Sequence, residues 1–284
     1  MTAVRVIAVF TLRESLRRRV FAVVGVLTVA FLGLYGLGTW QLHRDVTDVG
    51  FNQLGVEPNV IVGATLLGLA MFGTLFLGTV LAVFLTLGAV RGDAERGLLQ
   101  PLLVRPVSRR TLLLGRYAAA ATVCAAYVVA VFTGATIITW AFGGWWPDHL
   151  LLPAFGLALA VAILAAVSLA GSVFLSATAN GIAVFMVFGA GLVAGLLGQI
   201  GEALSSGTLQ NVATVASWML PFEGLYQAAL AGLTADTVGF TRLAIDLGPF
   251  GGAQSAGPGL WLWAFVYLGL VGAWALRGFA RRDL

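Results

Sequence analysis

The residues able to do chemistry are few and scattered. Two histidines (His43, His149), one cysteine (Cys124) and a serine pair in an apolar run (Ser168, Ser172) are the first candidates for nucleophile, base or ligand. A serine nucleophile needs a base within hydrogen-bond reach, and no apolar run holds a histidine. Two histidines are too few for a metal site, and no H-E-x-x-H cluster is present. Ser168 and Ser172 therefore read as small polar packing residues of a helix. Cys124 has no second cysteine to pair with and reads as a small packing residue. The chain has no lysine, hence no Gly-Lys-Ser/Thr phosphate loop, and does not bind ATP in that manner. Neither a catalytic residue nor a metal site is expected.

The densest polar stretch is residues 91–110, RGDAERGLLQPLLVRPVSRR. Six of the sixteen basic residues, all arginine, lie in or just after it: Arg91, Arg96, Arg105, Arg109, Arg110 and Arg116. Asp93 is placed to cap a short helix. Pro101 interrupts that helix or opens a second. Leu98, Leu99, Leu102 and Leu103 make a narrow apolar stripe at helical spacing. Pro106 stops the segment, and Ser108 is placed to cap the helix that follows. Two readings stand at this point. One is a charged topological stop whose leucines lie on the lipid surface. The other is a docking knob for a water-soluble protein, with leucines rimmed by Glu95, Arg96 and Arg105 as an apolar interface core is rimmed by polar groups.

The elements that position this insert are membrane spans. The chain is 60% hydrophobic and 10% charged, against about 25% charged in soluble domains, and its mean hydropathy is +0.97. The expected fold is an all-α integral membrane protein forming a single transmembrane domain over residues 1–284. Six apolar runs meet the roughly 20 residues a crossing requires: about 20–40, 60–89, 112–142, 151–175, 181–200 and 259–276. Apart from Arg116, counted with the insert, they contain no Asp, Glu, Lys, Arg or His. Ion-coupled carriers commonly place ionisable groups there, so a carrier is disfavoured. Only Arg44 and Arg242 fall opposite the other fourteen arginines. The positive-inside rule then puts both termini and the 91–110 insert in the cytoplasm; the expected location of this multi-pass protein is a prokaryotic plasma membrane. The same placement makes the basic charge topological, so no nucleic-acid partner is expected.

Residues 2–18 read as an interfacial helix anchored by arginines on the membrane lipid. Arg18-Arg19-Val20-Phe21 resembles a twin-arginine export signal, but the apolar run after it is too long for one. Residues 201–258 form a long outer segment. Within it, 212–233 carries one charge, Glu223, and a break at Pro221. An outer pair of short helices or a re-entrant element is preferred there over a seventh span. Trp40, Trp145, Trp146, Trp261 and Trp263 fall near outer boundaries, as an interfacial belt does. Gly191 and Gly195 make a small-x-x-x-small pair, for helix packing within the chain or for a dimer seam. Gly63, Gly68, Gly73 and Gly78 recur every five residues, a spacing that drifts around the helix and makes no single face.

The run from Glu95 to Arg109, ERGLLQPLLVRPVSR, resembles the E-x-G-T-L-x-x-L-L-x-x-P-x-S-R segment of type-two ABC exporter permeases. The subgroup similar to permeases of copper-enzyme maturation systems is nearest. Glu95, Gly97, Leu99, Leu102, Leu103, Pro106, Ser108 and Arg109 match, and Leu112-Leu113-Leu114-Gly115-Arg116 continues the pattern. Leu98 stands where threonine is usual, and Pro101 is unusual. The resemblance implies a cytoplasmic coupling helix between spans two and three. Glu95, Gly97, Leu98, Leu99, Leu102, Leu103, Arg105, Pro106 and Arg109 would contact a separate ABC ATPase subunit. ATP and Mg would sit on that partner, with no cofactor on this chain, and a second permease chain, most simply a copy of this one, would complete the complex. The short inner turn 176–181 would offer a smaller second contact. Alternatives are a membrane subunit that transmits force or aids maturation of an exported protein without passing a solute, an ion-coupled carrier, and a membrane enzyme.

Overall fold

The computed structural model describes residues 19–46, 58–87, 108–237 and 257–281. Among them are eight helices and no strand. Six are long and apolar enough to cross a bilayer: α1 (Arg19–Val46), α2 (Pro58–Thr86), α3 (Arg109–Gly143), α4 (Leu151–Phe174), α5 (Ala177–Ala203) and α8 (Pro258–Ala280). Each overlaps one of the six apolar runs. Two short helices, α6 (Gly207–Met219) and α7 (Pro221–Gly232), lie between α5 and α8.

Lipid offers no partner to a free N–H or C=O, so an apolar run of this length closes its hydrogen bonds within itself as a helix. Local chemistry sets the ends. Ser108 caps α3, its Oγ accepting from the Thr111 N–H at 3.1 Å. Gly144 stops α3 with φ 65°, donating its N–H to the Trp140 carbonyl; this left-handed stop is cheapest for glycine. Pro58, Pro221 and Pro258 open α2, α7 and α8, where a missing N–H has no helical partner to lose. At 35 residues, α3 is about 52 Å long and outruns a hydrocarbon core of about 30 Å. Its basic first turns therefore extend past the bilayer.

α4 is the centre of the bundle, with α2, α3, α5, α7 and α8 packed around it. Leu157, Ala160, Val161 and Leu164 are fully buried there. α1 and α8 turn most of their apolar surface outward, as Val26, Val29 and Leu262 do. Between lipid-solvated helices the hydrophobic effect gives little drive, and small residues with polar contacts do the joining. Gly63 faces Trp145, Gly73 faces Phe31, and Gly78 faces Val128 and Val161. Three of the drifting glycines thus serve four different neighbours. Thr28 Oγ1 lies 2.6 Å from Tyr127 OH, and Tyr35 OH is hydrogen-bonded to Thr139 Oγ1, which stitches α1 to α3. Thr74 and Thr79 return their hydroxyls to the carbonyls of Ala70 and Leu75, so neither is left unsatisfied.

Two details differ from the expectations. The turn expected over 176–181 is already helical from Ala177; Asn180 is fully buried, while Ser176, Thr178 and Ala179 are exposed. Trp145 is buried at the α3–α4 connection. The notch at Gly63 receives its ring, whereas Trp40 and Trp146 remain exposed.

Candidate functional site

Two places gather polar groups in this apolar bundle, one at each end. At the first, α2 arrives and α3 leaves. Gly63 meets Trp145 and Gly78 meets Val128, so α2 and α3 are antiparallel neighbours. Such neighbours are joined by about 2–8 residues; here residues 88–107 intervene. Just before that segment, Thr86 Oγ1 lies 2.6 Å from Ser168 Oγ on α4. Asn180 on α5 donates through Nδ2 to the Ser168 carbonyl at 2.9 Å. Thr86, Ser168 and Asn180 are all buried. Asn180 Oδ1 has no hydrogen-bond partner and lies in the notch of Gly171, where a Cβ would come within 2.1 Å of it. Ser168 therefore ties α2, α4 and α5 together at the base of the insert.

At the opposite end, α6 and α7 form a helical hairpin: α6, with no buried residue, lies along the outside of α5, and α7 packs into the bundle. Ser205 (φ 50°) reverses the chain after α5, and Ser206 N–H bonds to Gly201 O at 2.8 Å. Gly201 and Gly198 let α6 descend close against α5, opposite Gln210 and Ala213. The chain breaks at Leu220–Pro221 and returns as α7. Phe222 at the break fits against Gly191, ten residues below Gly201, a depth of about 15 Å. α7 then climbs along α4: Leu225 O and Ala229 Cβ meet Gly156, and Gly232 meets Leu152 and Pro153. A stack of rings joins the tip to α5, with Phe222 5.9 Å from Phe188 at 15° between planes. Trp263 Nε1 on α8 donates to Trp218 O on α6 at 2.8 Å.

Glu223 sits beside that tip, 5% exposed. Its Oε1 accepts from Gln227 Nε2 at 2.9 Å and occupies the notch of Gly195, where a Cβ would lie 1.9 Å away. Burial pushes its carboxyl above the ordinary carboxylate range, and the Gln227 bond pulls it partly back. Tyr226 is also buried, and its phenol is pushed up by burial and then by the Glu223 charge. Tyr226 OH and Gln227 Oε1 are buried without a hydrogen-bond partner.

The family model for ABC-2 family transporter proteins matches residues 5–284 of this bundle. The chain belongs to that family. This ABC-2 protein is thus a multi-pass membrane protein of the ABC transporter permease type. No curated protein matches it.

Of the residues singled out for ATPase contact, Glu95, Gly97, Leu98, Leu99, Leu102, Leu103, Arg105 and Pro106 lie outside the described residues, as does the interfacial stretch 2–18. Arg109 is the first residue of α3, and only its backbone is described. Gly191 and Gly195 both face α7 of the same chain. His43 Nδ1 lies 2.9 Å from Thr39 O, and His149 Nε2 lies 3.8 Å from Asp236 Oδ2; the two are not brought into one site. In the sequence Glu223 stands out only as the one charge in an apolar stretch. The available signal was its pairing with Gln227 one turn on, straight after a helix-opening proline. Asn180 carried no signal, because a buried asparagine and a surface one look alike in sequence.

Proposed function

We propose that this ABC-2 protein is the transmembrane permease subunit of an ATP-driven exporter. ATP and Mg bind a separate ABC ATPase subunit, and the 91–110 insert is the coupling helix that docks on it. Two permease chains and two ATPase chains make the working complex, with both permease termini and the insert in the cytoplasm. Family membership over nearly the whole chain carries this reading. It is supported by the long connection at 88–107 between neighbouring helix ends and by the arginine bias to one side. Glu95, Gly97, Leu99, Leu102 and Leu103, which match the type-two exporter pattern, and Leu98, which departs from it, are the contact residues, and the copper-enzyme-maturation permeases are the subgroup the insert most resembles.

Mechanically, closure of the ATPase pair on ATP would push the docked insert. Thr86 at the end of α2 would carry that push to α4 and α5 through Ser168 and Asn180. A rigid three-helix joint transmits a displacement better than separate helices sliding on small residues. The test is substitution of Gly97 by tryptophan in the full complex. Membrane insertion and thermal stability should be unchanged, while ATPase association or ATP-dependent transport is lost. Full transport with normal ATPase binding in G97W contradicts the docking role.

A further inference from the structure

Glu223 is the only carboxylate or basic side chain buried among the described residues. Ionised carboxylates are buried only with strong compensation, and its surroundings offer little. α2, α4 and α6 carry no titratable side chain. α5 presents glycines at Gly191 and Gly195, and its one acid, Glu202, lies about 10 Å further along the helix. α8 carries Tyr267, and Arg277 near its far end. On α7 itself the neighbour is Tyr226. Among the described residues, no basic group therefore stands opposite Glu223.

The hydrogen-bond inventory points the same way. Gln227 gives Nε2–H to Glu223 Oε1, while Gln227 Oε1 and Tyr226 OH stay without partners. An ionised carboxylate only accepts and leaves Gln227 Oε1 without a donor, whereas a protonated one supplies an O–H that this oxygen can take. Oε1 packs against the bare backbone of Gly195, and the side chain is nearly closed to solvent.

We propose that Glu223 is a proton-binding site, held as the neutral acid while α7 is seated against α5. The proton itself is the ligand. When the hairpin lifts, the carboxyl gives its proton to water and becomes a carboxylate, with no other bond made or broken. The proton thus latches the hairpin, and opening of this end of the bundle releases it. The latch does not depend on the permease reading; that its release accompanies a transport step does. One feature opposes it: Glu223 lies in the first turn of α7, where the helix dipole favours the ionised form. The two states predict opposite results for E223Q, which mimics the neutral acid.

The test uses the purified full-length chain in lipid nanodiscs. Infrared spectra at pH 7 should hold a protonated-carboxyl band that E223Q lacks. Thermal unfolding, followed by tryptophan fluorescence, is compared between about pH 5 and pH 9. The folded carboxyl titrates above 4.5, so its contribution to stability is full at acid pH and falls as pH rises through the folded value. Wild type should lose melting temperature toward alkaline pH. E223Q should show a flatter profile and melt no lower than wild type at the alkaline end. Absence of an E223Q-sensitive band, a parallel pH slope in both proteins, or an E223Q chain that fails to fold would each overturn the proposal.

Discussion

Replacing Gly191 with alanine tests the seat of the hairpin tip. The added Cβ would lie 2.3 Å from Phe222 Cζ and 3.1 Å from both Cε atoms. Carbon atoms rest at about 3.5–4.0 Å, so the ring must retreat by more than about 1 Å. It has little room to do so, being 1% exposed and stacked on Phe188. Either the stack breaks or α7 shifts off α5. Overpacking of this kind costs about 1–3 kcal/mol. Phe222→Ala alone leaves a void and costs about 3–5 kcal/mol by the soluble-protein scale, but it also frees the space the methyl needs. The double variant G191A/F222A should therefore be no less stable than F222A, giving an interaction of about 1–3 kcal/mol in the cycle. Equilibrium unfolding in mixed micelles, read by tryptophan fluorescence, measures all four proteins. Simple additivity, or a G191A variant as stable as wild type, would refute the seating of Phe222. A G191A chain of unchanged stability but altered oligomeric state would assign that glycine to a dimer seam instead.

Other outcomes follow from single contacts. Ser108→Ala removes the α3 cap and should lower stability by about 0.5–2 kcal/mol, with exchange protection lost first over the opening turn in hydrogen-exchange mass spectrometry. Asn180→Ala breaks the tie to the Ser168 carbonyl and should cost about 1–3 kcal/mol in the same unfolding assay. If the joint transmits motion, the N180A complex should also hydrolyse ATP with reduced transport per ATP. An N180A chain with wild-type coupling would make the joint purely structural.

Much of the fold is legible in the sequence because lipid leaves a long apolar run one option. Run length marks the six spans, and Ser108, Gly144 and the opening prolines Pro58 and Pro258 mark helix ends by local chemistry. The hairpin was harder. Residues 212–233 are apolar enough to pass for a span, and only Pro221 with Glu223 speaks against one. Its depth depends on Gly191, Gly195 and Gly156 on two other helices, and no local pattern links those glycines to Phe222, Glu223 and Ala229. The same limit hid the joint at Ser168, which looked like an ordinary small packing residue until α2 and α5 came to it. The five-residue glycine repeat in α2 makes no single face, and in the fold three of its glycines meet four different neighbours.

The central claim, that this chain works as the permease of a split ABC transporter, is tested most directly by what travels with it. The tagged full-length chain would be recovered from its native membrane in mild detergent and its partners quantified by mass spectrometry. An ABC ATPase near one copy per permease, lost when residues 95–103 are scrambled while the chain still inserts, is the predicted result. Recovery of a stable chain without ATPase, or an ATPase that stays bound to the scrambled insert, would contradict it.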